Sequence, residues 1–120
     1  MKSRILIAAA LVAVALAACS FENKYEREAD RITRAVMAND LAPVQKDLTP
    51  GLNISRVKVA EWSDELSAQG KLLSIKESKE CTPGYHCFVV KFQKHTYAER
   101  LQMDDQNRVT QWQFHMLDRG

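Results

Sequence analysis

Two residues of this chain, Tyr97 and Glu99, have the types and the spacing to move a proton. Residues i and i+2 of a β-strand point to the same face of the sheet, so both side chains would reach one interior. The alternation of residue types places Glu99 on the apolar face of its sheet, opposite Val90 and Trp112. Burial disfavours the carboxylate and raises the pKa of the acid, which suits a general acid or base.

Trp62 and Trp112 are the aromatic residues that would line a pocket beside Tyr97 and Glu99. Large aromatic side chains supply much of the buried area of protein cores, so the same pattern also fits an ordinary interior. The alternative for Glu99 is a position at the rim of the sheet, or an ion pair with an arginine from a helix. The four residues are therefore a candidate pocket.

The histidines offer a weaker case for chemistry. His115 alternates to the polar face of its predicted strand, and His95 falls in the connection between two strands. Neither has a Ser or Cys nucleophile at a recognisable spacing. The sequence has no phosphate-binding glycine loop, His-Glu-x-x-His element or nucleophile elbow, so the catalytic residues stay unknown and no cofactor is expected.

The N-terminus has the pattern of an export signal. Lys2 and Arg4 precede an uncharged run of 14 residues, 5–18, whereas a membrane-spanning helix needs about 20 apolar residues. The run ends in LAAC at 16–19, which resembles the lipobox of bacterial lipoproteins. The resemblance implies that Cys19 is diacylated and becomes the first residue of the mature protein; the alternative is an ordinary secretory signal with an incidental cysteine.

The lipobox resemblance also implies a location. Enteric bacteria retain a lipoprotein in the inner membrane when Asp follows the lipidated cysteine, and this chain has Ser20 there. The expected location is therefore the cell envelope, with the lipid anchor in the outer membrane and the protein facing the periplasm. Two acyl chains give stable anchoring, so the membrane is an expected partner. An envelope protein or a small apolar ligand is the other expected partner.

Cleavage changes the charge balance of the chain. The predicted organisation is a signal peptide at 1–18, a lipidated tether at 19–24 and one α+β domain at 25–118, and about 100 residues suit one domain. Losing Lys2 and Arg4 leaves 15 basic and 15 acidic side chains. A balanced domain has no electrostatic footprint for nucleic acid, and the sequence shows no polybasic segment for anionic lipid.

Lipidation of Cys19 would leave Cys81 and Cys87 as an even pair. In an oxidising periplasm such a pair is expected to form a disulfide, and the Pro-Gly turn signal at 83–84 lets the two thiols approach. A metal site of Cys81, His86 and Cys87 is the alternative. Zinc takes four ligands from paired short spacings, and the sequence has no second cluster, so no metal is expected.

Three helices are predicted before any strand. The first runs from Tyr25 to the Asn-Asp pair at 39–40, and a short second one has Pro43 in its first turn. The third is capped by Ser55, runs to about Gln69 and ends at Gly70 in the left-handed conformation. The apolar face of the first helix holds Tyr25, Ala29, Ile32 and Val36. The apolar contacts of the third are assigned to Val57, Val59, Trp62 and Leu66.

Alternation at a period of two predicts four strands in the second half of the chain. The first carries Leu73, Ile75 and Glu77, and the other three lie near 88–92, 97–103 and 112–116. A hairpin loop at 104–107 includes an asparagine able to take a positive φ. Pairing Phe92 with Tyr97, and Met103 with Arg108, places all three apolar sets on one face.

Helices followed by a curled antiparallel sheet predict an α+β fold whose helices cover one sheet face. This order, with the helix stop at Gly70 and the closing pattern from Tyr97 to Trp112, resembles the cystatin-like and NTF2-like superfamily over residues 22–117. The resemblance is greatest to its small bacterial lipoproteins of unassigned function. In steroid-isomerase-type members an acidic group and a Tyr transfer protons, which implies that role for Glu99 and Tyr97.

The sequence therefore favours a non-enzymatic envelope lipoprotein that acts as a binding or interaction module. The alternative is a small isomerase or hydrolase that uses Glu99 and Tyr97. A chiefly structural protein is a third possibility that the sequence does not separate from the first.

Overall fold

A computed structural model describes residues 23–52 and 54–117 of the chain. The predicted signal peptide, Cys19 and all of the tether except its last two residues lie outside the described residues, as does residue 118. The described chain is helical in its first half and forms a four-stranded antiparallel sheet in its second. The predicted α+β class is confirmed, and the finer superfamily assignment stays a prediction.

The first helix, α1 (Lys24–Met37), begins at Asn23, whose side chain accepts a hydrogen bond from the Glu26 amide. Its predicted apolar face is confirmed, because Ala29, Ile32 and Val36 are each fully buried. The short 3₁₀ helix Ala42–Asp47 follows, with proline in its first turn as predicted.

The helix α2 (Arg56–Ser67) is capped by Ser55 as predicted. The assignment of Val57 to its apolar face is wrong, since Val57 is 69% exposed whereas Val59 is 4% exposed. The reason is rotation: two residues turn an α-helix by about 200°, so the two valines lie on opposite sides. Gly70 has a φ of +84°, the left-handed conformation that was predicted after the helix.

The sheet is a meander of β1 (Leu72–Ser78), β2 (His86–Phe92), β3 (Thr96–Met103) and β4 (Val109–Met116). The hairpin between the last two strands has Asn107 at a φ of +62°, as predicted. Every buried side chain of β2, β3 and β4 lies on the face toward the helices. No helix among the described residues is both long and apolar enough to span a membrane.

The predicted register of the meander is wrong at both hairpins, by two residues at the first and by one and then two residues at the second. Tyr97 pairs with Val90 and not with Phe92, because the Phe92 amide bonds the His95 carbonyl and closes a tighter turn. At the second hairpin Met103 pairs with Val109 and not with Arg108, and beyond the bulge between Gln102 and Met103 the pairing differs from the prediction by two residues. A two-residue slip keeps each side chain on its face, which is why the apolar face itself was predicted correctly.

The slip changes the neighbours of Glu99. Its cross-strand partners are Phe88 and Phe114 and not Val90 and Trp112. Trp112 instead lies opposite Leu101, one step diagonally from Glu99 on the same face.

The start of β1 also departs from simple alternation. The register shifts between Leu72 and Ser74, so the extra residue, Leu73, turns outward and is 61% exposed. Leu72 packs against the core in its place. The later positions of the strand follow the prediction, with Ile75 5% exposed.

Candidate functional site

The side chain of Glu99 lies between α1 and the sheet and is fully enclosed, since the residue is 1% exposed. Its Oε1 atom is 2.8 Å from the Thr33 hydroxyl on α1. Its Oε2 atom accepts a hydrogen bond of 2.7 Å from the indole Nε1 of Trp112 on β4. One buried carboxyl group therefore connects the first helix to the last strand.

The hydrogen-bond geometry around Glu99 accommodates a proton on this carboxyl group. The Thr33 hydroxyl lies 2.8 Å from the Ala29 carbonyl as well as 2.8 Å from Glu99 Oε1. A hydroxyl has one hydrogen to donate, and the Ala29 carbonyl can only accept. Both contacts are hydrogen bonds at once when a protonated Glu99 donates to Thr33 and Thr33 donates to Ala29, whereas with an ionised Glu99 the Thr33 hydroxyl donates to only one of the two acceptors.

Burial favours the protonated form of Glu99. Desolvation raises the pKa of Glu99 from its ordinary 4.5 to about 8, although the hydrogen bonds that Trp112 and Thr33 donate to the ionised carboxylate act to lower it. The negative charge of Asp30 raises it slightly further. Glu99 is therefore a neutral acid at pH 7, as its apolar surroundings predicted, and its role is to hold α1 on the sheet.

Tyr97 is fully buried, but its polar group is not paired with Glu99. The Tyr97 hydroxyl donates to Glu65 Oε2 on α2 at 2.8 Å. The two residues share a face of β3, as predicted, yet their polar atoms bind partners on different helices. The arrangement positions both helices, and it does not aim the two groups at one reacting atom.

The two predicted pocket tryptophans pack around a residue that the sequence reasoning missed, Phe114. The Trp62 ring meets Phe114 edge-on at 5.2 Å between centroids, and Trp112 stacks on it at 5.8 Å. Tyr97 stacks on the same ring at 5.1 Å. The alternation in β4 already placed Phe114 inward, but only the true register places it beside Glu99.

No family model, curated protein or solved structure matches this chain. Function is therefore inferred from its own residues and their geometry.

Cys81 and Cys87 form the predicted disulfide, with their Cα atoms 5.5 Å apart. The bond closes the loop between β1 and β2. His86, the third ligand of the alternative metal site, binds Glu77 Oε2 through Nδ1 at 2.8 Å and stacks on Tyr25 at 3.5 Å. The sulfur atoms are used in a covalent bond, so these three residues do not form a metal site.

A polar cluster at the start of α1 was not predicted. Glu26 is 1% exposed, and its Oε2 accepts a hydrogen bond of 3.0 Å from the backbone amide of Glu77. The Asn23 side chain donates to Glu77 Oε1 at 2.7 Å. Since β1 is an edge strand, Glu26 accepts a hydrogen bond from a Glu77 amide that points away from β2.

A second carboxyl pair joins α1 to the 3₁₀ helix. Burial and a hydrogen bond with Asp47 raise the pKa of Glu28 to about 7, while the nearby charge of Arg31 lowers it. Arg31 lies 2.9 Å from Asp47 Oδ2. The contact between Glu28 and Asp47 is structural, and Glu28 loses its proton near neutral pH.

The face of the sheet away from the helices is open across the part of the chain that the structure describes. Lys76, Val89, Ala98 and His115 are cross-strand neighbours in one row of this outer face. A groove of about 550 Å³ includes Val89 and Ala98 in its lining and Arg100 beside them. His115 is exposed there, as the sequence predicted.

The remaining histidine, His95, lies in the turn between β2 and β3, as predicted. Its Nδ1 shares a hydrogen bond with the Gln69 side chain at the end of α2. This contact fixes the turn beneath the helix end and gives His95 a structural role.

Proposed function

We propose that this protein is a lipid-anchored lipoprotein of the bacterial envelope that binds an acidic segment of another envelope protein on the outer face of its sheet. The lipobox at 16–19 supports the anchor. The observation that carries the binding role is the charge of the outer face. It is a binding module and not an enzyme.

The outer face carries three cations, Lys76, Lys91 and Arg100. No carboxylate occupies any of the outward-facing strand positions that the structure describes, although Glu80, from the loop after β1, is among the residues that line the groove. Half-buried Val89 and Ala98 offer apolar contact between these charges. A positive face with an apolar centre suits a partner strand or loop with carboxylates, because charge complementarity steers association and fixes register.

The alternative, an isomerase or hydrolase, has less support from the same geometry. A proton-transfer pair must present both groups to one substrate atom. Here both oxygens of Glu99 are used by Thr33 and Trp112, and the Tyr97 hydroxyl is used by Glu65. The interior that would hold a substrate is occupied by the contacting rings around Phe114.

The anchor is tested by metabolic labelling with a clickable palmitate analogue in bacteria that express the full chain. We expect label on the wild-type protein and none on Cys19→Ser, which should also accumulate as a larger, uncleaved precursor. A wild-type chain that is processed without incorporating label would refute the anchor and favour an ordinary secretory signal.

The binding role is tested by photo-crosslinking in the same cells. A photoreactive amino acid at Ala98 reports on the groove, and one at the exposed Glu61 of α2 is the matched control. We expect a discrete heavier product from position 98 alone, and an acidic segment in its partner by mass spectrometry. The same product from both positions, or none from 98, would contradict the proposed surface.

A further inference from the structure

The strand β4 ends the sheet, and one of its two edges has no strand beside it in the described chain. At the beginning of β4, Leu48 forms a parallel bridge with Val109, and the Thr49 amide donates to the Val109 carbonyl. The chain then turns, with the Leu52 amide bonded to the Thr49 carbonyl. The edge is therefore uncovered by described residues along 111–117.

The ladder with β3 shows which backbone groups this edge presents. The Leu117 amide donates to the Thr96 carbonyl at 2.8 Å. Hydrogen-bonded pairs alternate along an antiparallel ladder, so Gln111, Gln113 and His115 also direct their backbone groups toward β3. The amides and carbonyls of the residues between them face the open edge, and these residues are Trp112, Phe114 and Met116.

This edge lacks the features that normally prevent strands from pairing between molecules. Natural edge strands are protected by charged side chains, proline, bulges or a covering element. The segment 111–117 contains no Lys, Arg, Asp, Glu or Pro. At the opposite edge, β1 carries Lys76 and a bulge after Leu72, and the Glu26 carboxylate accepts one of its amides.

The open segment also fits a second copy of itself. Its midpoint is Phe114, so an antiparallel pairing with full overlap places Phe114 opposite its own counterpart. Trp112 then lies opposite Met116 on the inner face, and both are half-buried apolar side chains that gain cover. On the outer face Gln113 lies opposite His115, so no like charges are opposed.

We propose that two copies of this chain pair through β4, antiparallel and centred on Phe114, to form one continuous sheet with the helices of both copies on the same side. The pairing is independent of the proposed binding function. A second copy is favoured over an unrelated peptide because the edge is uncharged and its full-overlap register is symmetric.

The test measures the dimer dissociation constant of the full chain in a density-matched non-ionic detergent by sedimentation equilibrium. The double variant Gln113→Lys, His115→Lys places lysine opposite lysine twice in the dimer. We expect a dissociation constant at least roughly tenfold higher than wild type, since directly opposed like charges destabilise paired strands.

The double variant Gln113→Glu, His115→Lys places opposite charges together and should restore wild-type affinity or exceed it at low salt. A control at an exposed helical position, Glu61→Lys, should leave the dimer unchanged. Circular dichroism checks that each variant is folded. A wild-type chain that stays monomeric at its highest attainable concentration, or two double variants with equal affinity, would overturn the proposal.

Discussion

At the scale of single residues, the protonation state of Glu99 explains how a carboxyl group is stable inside this small core. An ionised carboxylate there would lose its hydration without a cationic partner, which is costly. As a neutral acid it donates to Thr33 and accepts from Trp112, so neither oxygen lacks a contact. The buried acid therefore joins α1 and β4 by hydrogen bonds alone.

Replacing Glu99 with glutamine should be tolerated. The amide of Glu99→Gln donates to Thr33 and accepts from Trp112 as the neutral acid does, so we expect a loss below about 1.5 kcal/mol in urea unfolding at pH 7. Glu99→Ala leaves the Trp112 N–H without its acceptor beside a cavity and should cost about 2–5 kcal/mol. Equal losses for the two variants would contradict a neutral carboxyl group at this position.

The same proton gives stability a definite pH dependence. The unfolded chain releases the Glu99 proton near the ordinary pKa of 4.5, whereas the folded chain keeps it up to about 8. Stability is therefore greatest below pH 4.5 as far as this group is concerned, falls as the pH rises, and levels off above 8. The slope for one proton is about 1.4 kcal/mol per pH unit.

Thermal unfolding of wild type and Glu99→Gln over this range measures that contribution. Glu28, with a folded pKa of about 7, adds a similar slope below pH 7 only. Between pH 7 and 8 the unfolding temperature of the wild type should keep falling relative to that of Glu99→Gln. Parallel curves across this interval would contradict a native Glu99 pKa near 8.

At the scale of elements, the sequence predicted types and faces better than registers. Periodicity located α1, α2 and the four strands, because the spacing of apolar residues within each element identifies its buried face. The pairing of Tyr97 was wrong by two residues, since it depends on how tightly the His95 turn closes. The roles of Phe114 and Thr33 were missed for the same reason, as both contacts cross between elements.

The turn after α2 provides a test at this scale. Gly70 has a φ of +84°, and a Cβ there would collide with the Gln93 side chain, which accepts the Lys71 amide. Gly70→Ala should therefore cost at least about 1 kcal/mol in urea unfolding. Gly51→Ala is the matched control, because nothing lies within 4 Å of its Cβ position. Equal stability of the two variants would contradict the constraint at Gly70.

At the scale of the whole molecule, a nearly balanced composition conceals an uneven charge distribution. Residues 19–120 have 15 basic and 15 acidic side chains, so composition alone does not predict a cationic surface. Folding places Lys76, Lys91 and Arg100 on one face because alternate strand residues share a face, while the acidic residues within the described ranges lie on helices, in loops or on the inner face. Such a pattern needs the strand register and is not visible in composition.

The charge of the outer face should determine the yield of the crosslinked product from position 98. Lys76→Glu with Lys91→Glu reverses two exposed charges on the outer face, and we expect the crosslinked product to fall at least roughly tenfold through electrostatic repulsion. Arg56→Glu with Lys58→Glu makes the same change in net charge on exposed positions of α2 and should leave the product unchanged. Equal losses from both pairs would mean that total charge, and not the outer face, governs the association.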